Sequence, residues 1–314
     1  MSEIREHELV IVGGGAAGLT AGIYAMRYGL EMVLLAIGGP GGQTATATVI
    51  ENFPGFPDGI TGAELIMRLG QQAENFGVTF ESAEVKQIAP EPEDGRWRLD
   101  CGSTEIVAEA IILAVGASPR RLKIPGERDL FGKGVSYCAT CDGFFYRGKT
   151  VAVIGGGNSA IEEALYLSDI AEKVYVVHRR DELRAERILA ERAFKVDNLE
   201  LVWDTIPAEI LGDESGVTGI ALHNKKTNED SELDVDGVFV AIGYEPNTSF
   251  LEGLIELTDG FVVTDQRMRT SQPGIFAAGD VRDTPLRQVT TAVGDAAIAA
   301  DSAYRYVAQR RSER

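Results

Sequence analysis

Cysteine is scarce in this sequence, with three residues among 314. Small secreted proteins that depend on disulfides carry cysteine at a much higher density, and pairing Cys138 with Cys141 leaves Cys101 over. A chain of this length also buries most of its apolar surface on folding and needs no such bridges. The composition therefore predicts a protein of a reducing, cytoplasmic compartment.

Long apolar runs and a surplus of basic residues are absent as well. The beginning, MSEIREHE, lacks the apolar core of an export signal, and runs such as AIILAV are far shorter than a membrane span. Acidic residues outnumber basic ones by 48 to 30, which gives a formal net charge of −18, whereas nucleic-acid binding requires clustered Lys and Arg. We therefore expect a soluble, unexported protein that binds neither a membrane nor a nucleic acid.

Two glycine-rich segments repeat each other, ELVIVGGGAAGLTAGIYAMR at 8–27 and KTVAVIGGGNSAIEEALYLS at 149–168. Each has a β-branched run, a glycine turn and a helical pattern, which is how a dinucleotide-binding βαβ unit begins. The alternative, a buried turn without a ligand, leaves the repetition unexplained. The glycines concerned are Gly13, Gly15 and Gly18 in the first copy and Gly155 and Gly157 in the second, where Ala160 takes the third place.

A second repeat predicts the domain organisation. ILAVGASP at 112–119 and FVAIGYEP at 239–246 both combine an apolar strand, a glycine and a proline, so each glycine-rich unit closes with the same kind of segment. The predicted fold class is α/β, with two Rossmann-like, three-layer ββα dinucleotide-binding domains. We expect residues 118–245 to form a domain inserted into a discontinuous one made of 1–117 and 246–314, with the two Gly-Pro segments as crossovers.

Local patterns complete this prediction. GAELIMRLGQQAENFG at 62–77 has helical periodicity, and RWRLDCGS at 96–103 and FVVTDQRMRT at 261–270 alternate as strands do. EPEDG at 91–95 is typical of a hairpin turn, and the final AQRRSER predicts a frayed helical end.

The residues at the strand ends predict which nucleotide binds where. A dinucleotide site normally has a carboxylate for the ribose after its second strand, but the first unit has Ala36 there. In the second unit a basic cluster occupies the corresponding place, and guanidinium groups bind phosphate by paired hydrogen bonds, which favours NADP(H) over NAD(H). The alternative is a solvated helix face pairing with Asp181, Glu182 and Glu186. The cluster is His178, Arg179, Arg180 and Arg184.

Cys138 and Cys141 are spaced as neighbours on one helical turn, roughly 5–6 Å apart at Cβ. A zinc site lacks a second pair of ligands with suitable spacing, and so small a loop restrains the unfolded chain little as a structural bridge. A redox disulfide is the best of the three interpretations. We interpret Cys101 as an ordinary reduced thiol.

Asp142 follows the second cysteine directly, where its charge opposes thiolate formation. This position favours a role in handling protons. The alternative is an acid at a helix start that interacts with free N–H groups.

Taken together, CATCDG, VAVIGGGNSAIEEALYL and VHRRDELRAE make the chain resemble the low-molecular-weight bacterial thioredoxin reductases over nearly its whole length. The resemblance implies FAD in the first domain, NADPH in the inserted one, thioredoxin as the substrate and a homodimer. By the same resemblance Cys141 faces the flavin, Cys138 attacks the thioredoxin disulfide and Asp142 handles protons. The residues implied for FAD are Gly13, Gly15, Ala16, Ala17, Gly18, Gly42, Gln43, Asn52, Asp280, Arg287, Gln288 and Val289, and those for NADPH are Gly155, Gly157, Asn158, Ser159, His178, Arg179, Arg180 and Arg184.

One mechanical expectation follows from the positions of the motifs. The cysteine pair and the NADPH site lie on the same inserted domain, yet both must reach the flavin, so we expect that domain to rotate about the segments near Pro119 and Pro246. Two alternatives remain at this point: a reductase of the same fold with another donor or another thioredoxin-like acceptor, and a non-catalytic nucleotide-binding or redox-sensing protein.

Overall fold

The computed structural model describes residues 3–47, 49–92 and 94–314, and the chain divides into two compact units. The first is Met1–Ser118 with Glu245–Arg314, and the second is Pro119–Tyr244. The helices are α1 (Ala16–Arg27), α2 (Gly62–Asn75), α3 (Ala139–Asp142), α4 (Asn158–Ser168), α5 (Arg187–Ala193) and α6 (Val289–Glu313). The strands are β1 (Glu3–Val12), β2 (Met32–Leu35), β3 (Phe80–Glu81), β4 (Gln87–Pro90), β5 (Trp97–Asp100), β6 (Thr104–Leu113), β7 (Ala117–Pro119), β8 (Val135–Ser136), β9 (Thr150–Ile154), β10 (Lys173–Val177), β11 (Leu199–Val202), β12 (Thr205–Asp213), β13 (Gly216–Asn224), β14 (Asp230–Asp234), β15 (Gly237–Val240), β16 (Tyr244–Pro246), β17 (Leu257–Thr258), β18 (Phe261–Val262) and β19 (Ile275–Ala277).

The first unit is built on a sheet of order β3-β2-β1-β6-β5-β4, with β19 also pairing with β6. Strands β1, β2, β3, β6 and β19 pair in parallel, and β4 and β5 continue the sheet antiparallel. Alternate residues of β1 face opposite sides: Leu9 and Ile11 join the core under α1 and α6, while Val10 and Val12 join the other core. Because both faces are covered, β6 is apolar over most of its length.

The second unit has three layers. A parallel sheet of order β11-β10-β9-β15-β8 lies between helices α4 and α5 and the antiparallel sheet β12-β13-β14. Along β9, Val151 and Val153 pack toward the helices, and Ala152 and Ile154 pack toward the second sheet. The predicted α/β class with two Rossmann-like, three-layer units is confirmed.

The chain passes between the units at β7 and β16, which pair with each other as a two-stranded sheet. On the side of the first unit, the Asn247 amide donates to the Val115 carbonyl at 2.8 Å. On the side of the second unit, the Arg120 N–H donates to the Gly243 carbonyl at 2.9 Å. The two segments in which the chain crosses between the units therefore lie side by side, and they are the predicted Gly-Pro segments.

One local prediction is wrong. Residues 261–270 form a strand only at Phe261–Val262, because the Asp265 carboxylate then accepts from the N–H groups of Arg267 and Arg269 and bends the chain into a turn. The predicted helical end is part of α6, where Arg310 and Arg311 form ion pairs with Glu109 and Glu8, and its fraying stays a prediction.

The other local predictions are confirmed. The helix predicted at 62–77 is α2, and the strand predicted at 96–103 is β5. The turn predicted at 91–95 connects the antiparallel strands β4 and β5, although Glu93 lies outside the described residues. In the described part of the chain no helix is both long and apolar enough to cross a bilayer.

Candidate active site

The first glycine turn joins β1 to α1 and is open on one side. Gly13 has φ 115°, and a Cβ there would lie 2.3 Å from the Ala114 carbonyl oxygen, while a Cβ on Gly18 would lie 1.8 Å from that of Gly13. These two glycines are required by packing. At Gly15, by contrast, the nearest atom to an added Cβ is a carbonyl oxygen 3.9 Å away, so this peptide faces open space.

A cavity of about 760 Å³ lies against this turn, within the first unit. Its wall includes the glycine turn, Gln43, Asp280 and Ala36, which is buried at the end of β2. Gly42, with φ 78°, approaches the turn so closely that its Cβ would lie 3.3 Å from the Cα of Gly15. The cavity is therefore lined both by the backbone of the glycine turn and by polar side chains, as a dinucleotide site requires.

Asp280 follows β19 and lines the cavity. Burial raises the pKa of its carboxyl to about 6, against the opposing effect of the Arg287 guanidinium. The guanidinium of Arg287 lies 4.1 Å from the centre of the Phe261 ring, which holds it in place by a cation–π contact. A partly buried acid at this position is a hydrogen-bonding group available to a ligand hydroxyl.

Other predicted FAD residues are brought together from distant parts of the chain. The Asn52 amide donates to the Gln288 side chain at 3.0 Å, although 236 residues separate them. Gln288 caps α6, which begins at Val289. Gln43 approaches the Ser118 hydroxyl at 3.5 Å. Ala16 and Ala17 are the first residues of α1, and both line the cavity.

The second glycine turn, between β9 and α4, repeats the first. Gly155 has φ 154°, and a Cβ there would lie 2.4 Å from the Ala241 carbonyl oxygen and 2.7 Å from the Cβ of Ala160. Gly157 has no atom within 4 Å of an added Cβ, so this peptide is open as Gly15 is. Asn158 and Ser159 begin the helix at this open point.

Three predicted phosphate ligands lie beside this turn. The N–H of Arg184 donates to the Gly156 carbonyl at 2.7 Å, which ties the loop after β10 to the glycine turn. Arg179, Arg180 and Arg184 are exposed, and across the residues that the structure describes none of them forms an ion pair with a carboxylate. Asp181 pairs instead with Lys226 at 2.8 Å. The three cations are thus available to an anionic ligand, and the loop carrying them is not the solvated helix face considered as the alternative.

His178 differs from the three arginines because it is buried, with 5% of its surface exposed. Its ring packs under the glycine turn so closely that a Cβ on Gly156 would lie 2.2 Å from Nδ1. Burial lowers its pKa, although a backbone hydrogen bond with Glu182 opposes the change. His178 therefore supports the turn as a neutral ring, and a contact between it and NADPH stays a prediction.

Cys138 and Cys141 form a disulfide with a Cα–Cα distance of 5.3 Å. Cys138 caps α3, and its carbonyl accepts from the N–H groups of Cys141 and Asp142, each at 3.2 Å. The short helix is held against α4: Ala139 is fully buried, and a Cβ on Gly143 would lie 3.0 Å from the side chains of Tyr166 and Leu167. The disulfide thus lies on α3, which packs against the helix that starts at the second glycine turn.

Asp142 ends α3 and is mostly buried. Burial raises the pKa of its carboxyl, and the Ser136 hydroxyl, which donates to Oδ2 at 2.5 Å, acts in the opposite direction. Because α3 is a single turn, Asp142 also lies in its first turn and directly precedes the next one, so the alternative of an acid at a helix start stays open. A carboxyl with a raised pKa directly after the second cysteine is suited to exchange protons with a sulfur.

Comparison with known proteins places these features in one family. Residues 7–296 match the family of pyridine nucleotide-disulphide oxidoreductases. The chain is 43% identical over 309 residues to the thioredoxin reductase of Listeria monocytogenes, covering 98% of this chain and 95% of that one. It is 44% identical over 317 residues to that of Vibrio cholerae, covering 98% of both. The crystal structure of thioredoxin reductase from Streptococcus pyogenes matches with a TM-score of 0.91 at 42% identity, over 97% of this chain and 99% of that one.

The chain belongs to the thioredoxin reductases, of the low-molecular-weight bacterial type.

Two features of this thioredoxin reductase family member were not predicted. Phe144 and Phe145 follow the disulfide and are 55% and 45% exposed, with the Arg147 guanidinium 5.5 Å from the centre of the Phe144 ring. They form an apolar surface next to the sulfurs.

The second feature is Glu163 on α4, whose carboxyl faces α3. The N–H of Ala139, between the two cysteines, donates to it. Burial raises the pKa of Glu163 to about 7, against this hydrogen bond and with a smaller contribution from the charge of Glu162. The sequence does contain a signal for it, because Glu163 comes three residues after buried Ala160 and four before buried Leu167, which puts it on the inner face of the helix.

Proposed function

We propose that the protein is an NADPH-dependent, FAD-containing thioredoxin-disulfide reductase. The observation that carries this proposal is the Cys138–Cys141 disulfide on α3, which packs against α4, the helix that begins at the second glycine turn. The second unit thus holds both a redox disulfide and a nucleotide turn, the two groups that must exchange electrons with the flavin.

The cavity of the first unit fits FAD. Its open peptide at Gly15 suits a pyrophosphate, and Asp280 offers a carboxylate to a hydroxyl of the ribityl chain. Gln43, Asn52 and the first turn of α6 would hold the ring end. When bound, FAD supplies two-electron transfer between a nicotinamide and a disulfide.

The second turn fits NADPH for two reasons. The open peptide at Gly157 suits the pyrophosphate, and the exposed cations of Arg179, Arg180 and Arg184, which pair with no carboxylate of the described residues, suit the 2′-phosphate that distinguishes NADPH from NADH. A reductase with another donor has no use for these three arginines, which is why we favour NADPH.

Cys138, Cys141 and Asp142 then carry out the thiol–disulfide exchange with thioredoxin. The Sγ of Cys138 attacks the disulfide of thioredoxin and forms a mixed disulfide, and the Sγ of Cys141 attacks this bond, which releases reduced thioredoxin and restores the pair. Asp142 holds the proton that the sulfurs exchange. Phe144 and Phe145 offer an apolar surface for thioredoxin to dock against.

Three further expectations belong to this proposal: a cytoplasmic location, a homodimeric state, and rotation of the second unit about the β7 and β16 segments during turnover. A cross-link that fixes the two units to each other should abolish full turnover. Full turnover by the cross-linked protein would refute the rotation while leaving the reductase activity intact.

Anaerobic titration of the visible flavin spectrum tests the donor and the acceptor together. NADPH should bleach the spectrum at much lower concentrations than NADH does, and oxidised thioredoxin should restore it. Cys138→Ser and Cys141→Ser should keep the bleaching and lose the recovery, whereas Cys101→Ser, at the third cysteine, should keep both. No bleaching by either nucleotide would contradict the proposal, and bleaching without recovery would favour another disulfide acceptor.

A further inference from the structure

Glu163 is a buried acid in contact with the peptide between the two cysteines. Its Oε2 is buried and has no hydrogen-bond partner among the residues that the structure describes. A buried carboxylate oxygen without a partner is costly as a charge, and protonation is the ordinary way in which this cost is relieved. Glu163 therefore responds to any new charge that forms near it.

The contact with Ala139 links the protonation of Glu163 to the charge of the disulfide sulfurs. Ala139 follows Cys138 directly, and its N–H donates to the Glu163 carboxylate. A thiolate on Cys138 would form on the residue that precedes this N–H, at the start of the helix that packs against α4. Two negative charges at this place oppose each other, so formation of the thiolate favours a proton on Glu163.

We propose that Glu163 is a positioning residue for the redox disulfide, which takes up a proton when the Cys138–Cys141 bond is reduced and so removes its own negative charge from beside the thiolate. This inference rests on the proposed function, because it concerns the same disulfide. Asp142 is a separate group: its Oδ2 accepts from the Ser136 hydroxyl, and its proton exchange with the sulfurs belongs to the proposed function.

The protons and electrons balance as follows. Reduction by a dithiol breaks the Sγ–Sγ bond, and the dithiol is oxidised to its disulfide, giving up two electrons and two protons. One proton stays on one sulfur as a thiol, the other sulfur remains a thiolate, and the second proton is bound by Glu163.

Few other groups near Glu163 carry charge. Helix α4 packs against α3, α5, β9, β10 and β11. Among the residues that the structure describes, the charge that raises the Glu163 pKa is that of Glu162, which is exposed. The titratable or charged side chains of these elements and of α4 are Asp142, Arg187, Glu191, Arg192, Lys173, Tyr175, Glu200, Glu162 and Tyr166.

The rate at which iodoacetamide alkylates the pair, measured against pH after reduction with dithiothreitol, tests the inference. Wild type should show two inflections, because two coupled groups share the protons. Glu163→Gln should show one, and should reach its plateau about one pH unit lower. Glu162→Gln, on the exposed neighbour, is the matched control and should keep both inflections. Coincident profiles for E163Q and wild type, or an equal change in E162Q, would overturn the inference.

The equilibrium between the pair and dithiothreitol gives a second readout. Near pH 7–8 the E163Q equilibrium constant should change by up to about tenfold more per pH unit than that of wild type, because E163Q releases to the solvent the proton that Glu163 binds; tenfold is equivalent to about 30 mV for a two-electron couple. Parallel pH dependences for the two proteins would count against a proton bound by Glu163.

An infrared difference spectrum between the reduced and oxidised forms needs no change at Glu163, and so covers the case in which E163Q does not fold. At pH 7.5 a protonated-carboxyl band should appear on reduction, and it should persist in Asp142→Asn. Its absence from both proteins would refute the uptake. Failure of wild type to reduce thioredoxin with NADPH would refute the proposed function alone, because these three measurements use only dithiothreitol.

Discussion

The basic cluster after β10 allows the most quantitative prediction. Arg179 and Arg180 are exposed and unpaired with carboxylates in the described part of the chain, so replacing them with alanine frees no buried charge and breaks no internal ion pair. The substitutions should therefore change the affinity for the nucleotide and leave the stability of the fold unchanged. The double variant Arg179→Ala/Arg180→Ala should retain the wild-type fold and flavin spectrum.

The magnitude follows from the strength of a guanidinium–phosphate pair. A hydrogen bond to a charged group contributes about 1.5–3 kcal/mol, and exposure to water reduces this to about 1–2 kcal/mol for each arginine. The KM for NADPH should then rise about 5- to 30-fold for each single variant. The KM for NADH should change by less than about twofold, because NADH has no 2′-phosphate.

Steady-state assays with both nucleotides, repeated at two ionic strengths, measure this difference. The matched control is Arg187→Ala on α5, since Arg187 is also exposed but is paired with Glu191 at 2.6 Å. Its effect on either nucleotide should be small. Equal losses for NADPH and NADH in the double variant, or an equal NADPH loss in R187A, would refute the phosphate assignment.

Three more predictions follow from the sites. Gly15→Ala should keep the fold and lose FAD, whereas Gly18→Ala should lower the melting temperature, because its Cβ meets a carbonyl oxygen at 1.8 Å; equal melting temperatures would contradict this. Ser136→Ala removes the hydroxyl that lowers the Asp142 pKa, so the Asp142 limb of the pH–rate profile should move up by about one unit, and Ser136→Thr should restore it. The raised pKa of Asp280, about 6, means that its contribution to stability is full below about pH 4 and lost as pH rises through 6. Asp280→Asn should therefore stabilise the apoprotein at pH 7.5 by at most about 3 kcal/mol and not at pH 4, and the same melting shift at both pH values would contradict it.

The glycine turns could be predicted from the sequence because their requirements are local. Gly13 and Gly155 have positive φ and touch the backbone of a neighbouring strand, so their residue type follows from the turn itself. The Gly-Pro segments could be predicted as domain connections for a similar reason, because each follows a buried strand and the pattern occurs twice.

Features that depend on packing between distant segments could not be predicted in the same way. His178 was grouped with the arginines that follow it, and only the fold shows that its ring fills the space under Gly156. At Asp265 the side chain accepts from two backbone N–H groups and ends the strand predicted from the alternation of polar and apolar residues. The alternation itself gives no sign of this hydrogen bonding. Glu163 and Glu162 are identical in type and adjacent, and only the packing of α3 on α4 distinguishes them.

The central claim is that NADPH reduces thioredoxin through the Cys138–Cys141 disulfide. The most direct measurement is NADPH oxidation by the purified holoenzyme with oxidised thioredoxin, together with titration of the thiols that form. The account predicts one NADPH consumed for each thioredoxin disulfide reduced, with full activity in Cys101→Ser and none in Cys138→Ser or Cys141→Ser. Thioredoxin reduction that survives the loss of either Cys138 or Cys141 would contradict it.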